Sequence, residues 1–213
     1  GEFQDRGLVM GYVQSGKTTN FTAVAAKAAD SGYRIIIVLS GLAENLRKQT
    51  QDRLSDAFNT QGWMPLTARS EVELQSDGNE KITSIGDFTN PPFSVDRFSH
   101  TTTAFGAPEV AFAVVKKNVS RLRKLKKWLD GVGGAYTGLP ILVIDDEADQ
   151  GSIDTSPAKD REKRTAVNKA IHAILNRPRA AYLGYTATPF ANLLIDPRHS
   201  DEFGPSLFPR DFV

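Results

Sequence analysis

Gly11-Tyr12-Val13-Gln14-Ser15-Gly16-Lys17-Thr18 fits the pattern G-x-x-x-x-G-K-[ST] without a mismatch. Glycines let the backbone wrap closely around an anion, and a following helix presents free N–H groups and the positive end of its dipole at the same point. Gly11, Gln14, Ser15, Gly16, Lys17, Thr18 and Thr19 are therefore the expected nucleotide-binding set. Lys17 is expected on the β- and γ-phosphates and the Thr18 hydroxyl on Mg²⁺. An ordinary glycine turn before a helix is the alternative.

A second constellation lies far downstream. Ile141-Leu142-Val143-Ile144 runs straight into Asp145-Asp146-Glu147-Ala148-Asp149. A hydrophobic strand of this kind carries acids rigidly to the carboxyl edge of a sheet, where open α/β folds bind ligands. One acid can hold Mg²⁺ while its neighbour orients or deprotonates the attacking water. A solvated acidic turn is the alternative, and the complete P-loop weighs against it.

Basic residues form a third group, with Lys116, Lys117, Arg121, Arg123, Lys124, Lys126 and Lys127 close together. They read equally as phosphate contacts for a nucleic-acid strand or as a solvated helix face. Lys116, Lys117 and Asn118, at the start of that helix, are better placed than the rest. No spaced Asp, Glu and Lys set suggests a nuclease centre. His100 stands without a second His or any Cys nearby and reads as a surface residue.

The elements that must position these groups follow from periodicity. Leu8 to Met10 reads as a short buried strand and Lys17 to Ala29 as an alanine-rich helix that Asp30-Ser31-Gly32 terminates. Tyr33 to Leu39 is an apolar, β-branched run of the kind found in parallel strands covered on both faces. A helix is expected from Leu42 to Phe58, with Leu42, Leu46 and Leu54 inward and Arg47, Lys48 and Arg53 outward. Residues 62–108 read as an insertion, with a strand at Trp63 to Thr67, a hairpin near Lys81 and a loop at Asn90-Pro91-Pro92. The pattern resumes with a strand over Glu109 to Val115 and a helix to Asp130 striped by Val119, Leu122, Leu125 and Leu129. A helix from Arg161 to Asn176 and a strand from Ala180 to Tyr185 complete it. A β-α-β-α order of this kind implies an α/β fold with right-handed crossovers and a mainly parallel sheet in one domain.

Composition sets the outer limits. The chain has 213 residues, a net charge of +1, 40% hydrophobic and 24% charged content, and no cysteine. Disulfides and thiolate metal sites are excluded, and near-neutral charge argues against a generally polycationic nucleic-acid binder. No apolar run approaches ~18 residues, so a membrane partner is not expected and a cytoplasmic location is. Gly1-Glu2-Phe3 resembles a cloning remnant, and the tail from Leu193 is expected to lead into a further domain.

Asp146-Glu147-Ala148-Asp149 spells the DEAD box, Thr186-Ala187-Thr188-Pro189 resembles motif III of superfamily 2 helicases, and Asn45-Leu46-Arg47-Lys48-Gln49 sits where those enzymes carry motif Ia. The chain thus resembles a first RecA-like helicase domain, a P-loop NTPase with α/β/α layers. Its P-loop, Ile144 to Gln150, Gly184 to Asn192, Lys116-Lys117-Asn118 and Leu207 to Phe212 are similar to a narrower group, the Z-one domain proteins. These are bacterial superfamily 2 ATPases that carry an endonuclease label and accompany restriction-modification and other defence systems. The resemblance implies ATP with Mg²⁺ as cofactors, with Lys17, Asp146 and Glu147 catalytic, and Thr18 and Asp146 on the metal. It implies that Asp149 and Gln150 meet the hydroxyls of Thr186 and Thr188 and couple nucleotide state to domain closure. Arg47, Lys116, Lys117 and Asn118 would contact DNA, expected to be duplex. A second RecA-like domain, further C-terminal domains and a nuclease subunit are the implied partners. The additional Asp145 departs from the helicase pattern and leaves open a register in which Asp145 and Asp146 take the metal and water roles. A regulatory domain of an endonuclease, or a nucleotide switch without nucleic acid, remain the alternatives.

Overall fold

A computed structural model describes residues 1–11, 16–41, 44–57, 63–65, 72–74, 80–82, 110–130, 138–153, 165–193, 195, 200–201 and 204–211. The strands are β1 (Phe3–Met10), β2 (Ile35–Ser40), β3 (Trp63–Pro65), β4 (Val72–Leu74), β5 (Glu80–Ile82), β6 (Val110–Lys116), β7 (Ile141–Asp146), β8 (Arg179–Thr186), β9 (Ser200–Asp201) and β10 (Gly204–Pro205). The helices are α1 (Lys17–Asp30), α2 (Glu44–Ala57), α3 (Val119–Asp130), α4 (Ala166–Leu175) and the single turn α5 (Phe190–Leu193). Six strands form one sheet in the order β1-β8-β7-β2-β6-β3. Every pairing in it is parallel.

All six residues of β2 are buried, as are the first five of β7. Such continuous burial requires helices on both faces of the sheet. Phe21 of α1 meets Tyr185 edge to face, and Tyr185 donates to Asn20 Oδ1 at 2.8 Å, which places α1 on the Tyr185 face of β8. Tyr182 points the other way along the same strand. On that side Leu122, Leu125 and Leu129 of α3 are wholly buried, and α3 packs on α4. The Thr165 hydroxyl caps α4 by accepting from Asn168 N at 3.3 Å.

Several expectations change. β1 begins at Phe3, not Leu8: Phe3 N donates to Pro178 O at 2.8 Å and its ring packs on Tyr33 with centroids 5.7 Å apart. Gly1-Glu2-Phe3 therefore leads directly into a structural strand. The tail also closes on this strand, with Arg6 N donating to Asp211 Oδ2 at 2.8 Å and Asp211 N donating to Arg6 O at 2.9 Å. Within 62–108, Trp63–Pro65 joins the main sheet beside β6, and β4 and β5 form the hairpin expected near Lys81. His100 and the Asn90-Pro91-Pro92 segment fall outside the described residues. Helix α2 is rotated from its expected phase: Leu54 is buried as anticipated, but Leu46 is 46% exposed and Arg47 is 1% exposed. Among the described residues no helix is long and apolar enough to cross a membrane.

The observed phase of α2 can be checked by stability. Leu54→Ala should cost about 2–5 kcal/mol in denaturant unfolding and Leu46→Ala about 0.5 kcal/mol or less. A larger loss at Leu46 than at Leu54 would restore the expected phase.

Candidate functional site

The carboxyl ends of β1, β8 and β7 stand side by side, with Met10 opposite Thr186 and Tyr185 opposite Asp146. Strand β8 therefore separates the P-loop strand from the acidic strand. Gly11 N donates to Thr186 O at 3.0 Å, which ties the start of the P-loop to the end of β8. Gly16 precedes α1 at φ 75°, a left-handed conformation that favours glycine. No side chain caps α1 and no acid occupies its first turn, so the positive end of its dipole has no internal carboxylate to oppose it. Lys17 and Thr18 are half-buried there and Thr19 is exposed. Gln14 and Ser15 lie outside the described residues.

Adjacent acids on β7 are separated by the alternation of a strand. Asp145 is fully buried on the α3 and α4 side, where it accepts from Tyr182 Oη at 2.6 Å. Its Oδ1 lies 3.0 Å from Lys117 Nζ, a charge contact that is not aligned as a hydrogen bond. Burial and the neighbouring Asp145 push the Tyr182 phenol well above its ordinary value. Asp146 is half-buried on the opposite side, within reach of the charge of Lys17. Burial first, then the charge of Glu147, push the Asp146 carboxyl up, while Lys17 and Lys117 oppose that shift. The register in which Asp145 takes a metal role is thereby overturned, because its carboxylate is sealed behind the sheet.

Glu147 leaves the strand at φ 60°. A non-glycine residue in this region costs on the order of 1–3 kcal/mol and persists only where its surroundings hold it. Three contacts do so: Gln150 N donates to Glu147 O at 2.8 Å, Ala148 N to Tyr185 O at 2.9 Å, and Lys117 Nζ to Glu147 O at 2.5 Å. The turn lays the Glu147 carboxylate over Gly41, so closely that a Cβ at Gly41 would meet Oε2 at 2.8 Å. Gly41 follows β2 and Glu147 follows β7, neighbouring strands whose onward connections leave in opposite directions. Ligands of open α/β sheets bind at such a switch point.

Asp149 accepts from Thr186 Oγ1 at 2.6 Å and from Thr188 Oγ1 at 2.8 Å. Thr188 N donates to Thr186 Oγ1 at 2.9 Å, which completes a closed set. Partial burial pushes the Asp149 carboxyl up, but the two hydroxyls outweigh it and hold it below its ordinary value. Gln150 is exposed and bonds through its main chain to Glu147.

The residues expected to contact nucleic acid divide. Lys117 is 1% exposed and also donates to Asp146 O at 2.9 Å, so its ammonium is an internal group and not a DNA contact. Arg47 is equally buried and donates to Gln51 Oε1 one turn on. Asn118 is the cap of α3, its Oδ1 accepting from Ser120 N at 2.9 Å and Arg121 N at 3.4 Å. Lys116 is half-buried. Of the basic strip, Lys126 pairs with Asp130, whereas Arg123, Lys124 and Lys127 line an open depression of about 560 Å³ beside Asn118. Reasoning from sequence gave Lys117 an outward role and missed Tyr182 and Gly41 as parts of the site. The signal for the first two was an acid in a strand apolar enough to be buried on both faces, which demands partners.

This is an α/β fold consistent with a RecA-like P-loop domain, with Gly11, the paired acids and the end of β8 side by side at the carboxyl edge of the sheet. Among solved structures it is similar to a nuclease-deletion mutant of the Type ISP restriction-modification enzyme LlaGI in complex with a DNA substrate mimic, at a TM-score of 0.51. That likeness covers 87% of this chain and 16% of the neighbour, at 16% identity, and is a likeness of fold. No family model and no curated protein matches the sequence.

Opposite shifts of two acids give a pH signature. Asp149, held below its ordinary value, contributes stability that is present above pH 3.8 and lost as pH falls through its folded-state value. Asp146, held above it, binds its proton more tightly when folded, so its contribution declines as pH rises from 3.8 through its raised value. Carboxyl carbon NMR should show the two titrating on opposite sides of pH 3.8. Coincident midpoints would remove the assigned environments.

Proposed function

We propose that this chain is the ATP-binding first motor domain of a superfamily 2 DNA-dependent ATPase or translocase that serves a restriction or anti-phage defence complex. The observation that carries this reading is the position of Thr186. Its carbonyl accepts from Gly11 of the P-loop and its hydroxyl donates to Asp149 of the acidic loop, so one residue joins the two halves of a phosphate site.

Lys17 and the open end of α1 would bind the triphosphate. Thr18 and Asp146 would hold Mg²⁺, which supplies charge neutralisation across the β- and γ-phosphates. The donor set suits such a cation: both ligands are hard oxygens, and Asp146 sits half-buried beside a second carboxylate. Glu147, over the switch point, would take the proton of the attacking water. Asp149, Thr186 and Thr188 would transmit the state of the site to a second RecA-like domain. Arg123, Lys124 and Lys127, which line one depression, would follow a DNA backbone, a role in keeping with the DNA substrate mimic in the LlaGI neighbour. A second domain would close the cleft and supply an arginine, a contribution worth about 10³ to 10⁵ in rate in comparable phosphoryl transfers.

ATP turnover by the full-length protein should rise when duplex DNA is added. Lys17→Ala should lower it on the order of a hundredfold. The 213-residue chain alone should bind MgATP weakly and hydrolyse it barely. Turnover indifferent to DNA would favour a nucleotide switch, and robust Lys17-dependent turnover by the isolated chain would remove the need for a second domain.

A further inference from the structure

Lys117 contacts no phosphate in the reading above, yet it is among the most deeply buried side chains of the molecule. A wholly enclosed ammonium is expensive unless its charge and all three of its donors are matched. Here two donors are taken by Asp146 O at 2.9 Å and Glu147 O at 2.5 Å, and the charge is met by Asp145 Oδ1 at 3.0 Å. Both acceptors are main-chain carbonyls, one of the last residue of β7 and one of the residue after it. We propose that Lys117 is a positioning residue for Glu147, its ammonium fixing the left-handed turn that carries the Glu147 carboxylate over Gly41.

The geometry divides the work. Asp145, itself bound by Tyr182, balances the charge of Lys117 and aims the ammonium at the strand end. The bond to Glu147 O then holds a backbone conformation that a glutamate does not favour by itself. Without that bond the turn relaxes toward φ below zero, and the carboxylate moves off the switch point. Lys117 also ends the connection from β6, and the next residue, Asn118, caps α3. The helix bearing Arg123, Lys124 and Lys127 is thus joined to the turn of Glu147 by one residue and its side chain.

The inference rests on the reading of Glu147 as the water-activating acid, so the test separates the two. Single-turnover ATP hydrolysis and MgATP affinity are measured on the full-length protein with duplex DNA. Glu147→Gln tests the acid itself and should lower the hydrolysis rate constant. Lys117→Met combined with Asp145→Asn removes both buried charges together, which avoids an orphaned ion and keeps an acceptor for Tyr182. That double variant should melt near the parent, bind MgATP within about threefold, and lose on the order of a hundredfold in rate, the scale of general base catalysis. Gly41→Ala leaves every charge in place and obstructs only the carboxylate at Oε2, so it should give the same loss in rate with affinity unchanged. Parent rates in the double variant, alongside loss in Glu147→Gln, overturn the positioning role alone. Parent rates in Glu147→Gln overturn the reading of the acid, and the inference with it. Should the double variant fail to fold, parent rates in Gly41→Ala overturn the inference instead.

Discussion

A strand covered on both faces can carry a charge only if something opposite meets it. Asp145 lies in the middle layer of this molecule with no exposure to water, and the ion pair with Lys117 together with the phenol of Tyr182 makes that tolerable. Breaking such a pair by removing one partner is far more costly than replacing both. The pair therefore dictates where β6 must end, how β7 must emerge and which way the next carboxylate faces. With Asp145 committed to one side of the sheet, alternation sends Asp146 to the other, toward Lys17. The division of two identical neighbouring residues between a sealed and a half-open environment follows from the pleat of one strand.

The same side of the sheet holds a second buried charge. Arg6, on β1, lies beside Tyr182 of β8 and is 2% exposed. Burial first, then nearby Arg210, push its guanidinium down to about 10, which leaves it charged at neutral pH. Arg6, Tyr182, Asp145 and Lys117 form a polar seam behind an otherwise apolar sheet. The face toward α1 has a different character. There Tyr185 is pushed up to about 12 by burial and by Asp146, and its hydroxyl is taken by Asn20. Behind the sheet Tyr182 and Lys117 both meet Asp145, whereas in front Asp146 lies within reach of the charge of Lys17.

Much of this was legible before any coordinates. The alternation of strand and helix, the stripe of Leu122, Leu125 and Leu129, and the emergence of acids from β7 are local signals that a linear pattern carries. Asp149 accepts from both Thr186 and Thr188, whereas Gln150, which the helicase resemblance set beside it, is exposed and bonds through its main chain to Glu147. The failures share one physical cause. A sequence reports that Lys117 and Arg47 are charged but not what stands opposite them, and both were assigned outward when they are internal. The phase of α2 was misjudged for the same reason, since Leu46 is as apolar as Leu54 and only tertiary packing distinguishes them. The missing Cβ of Gly41 matters because of a carboxylate more than 100 positions away in sequence, which no local pattern reports.

The clasp between Asp211 and Arg6 has a further effect at the margin of the sheet. β1 is an edge strand, and its outward N–H and C=O groups offer a template for pairing with another copy. The main-chain and carboxylate bonds of Asp211 occupy that template at Arg6, and the buried Leu207 anchors the segment that delivers them. A polypeptide trimmed to the last sheet strand would keep Lys17, Thr18 and Asp146 and uncover the edge. Its failing would be self-association through exposed backbone.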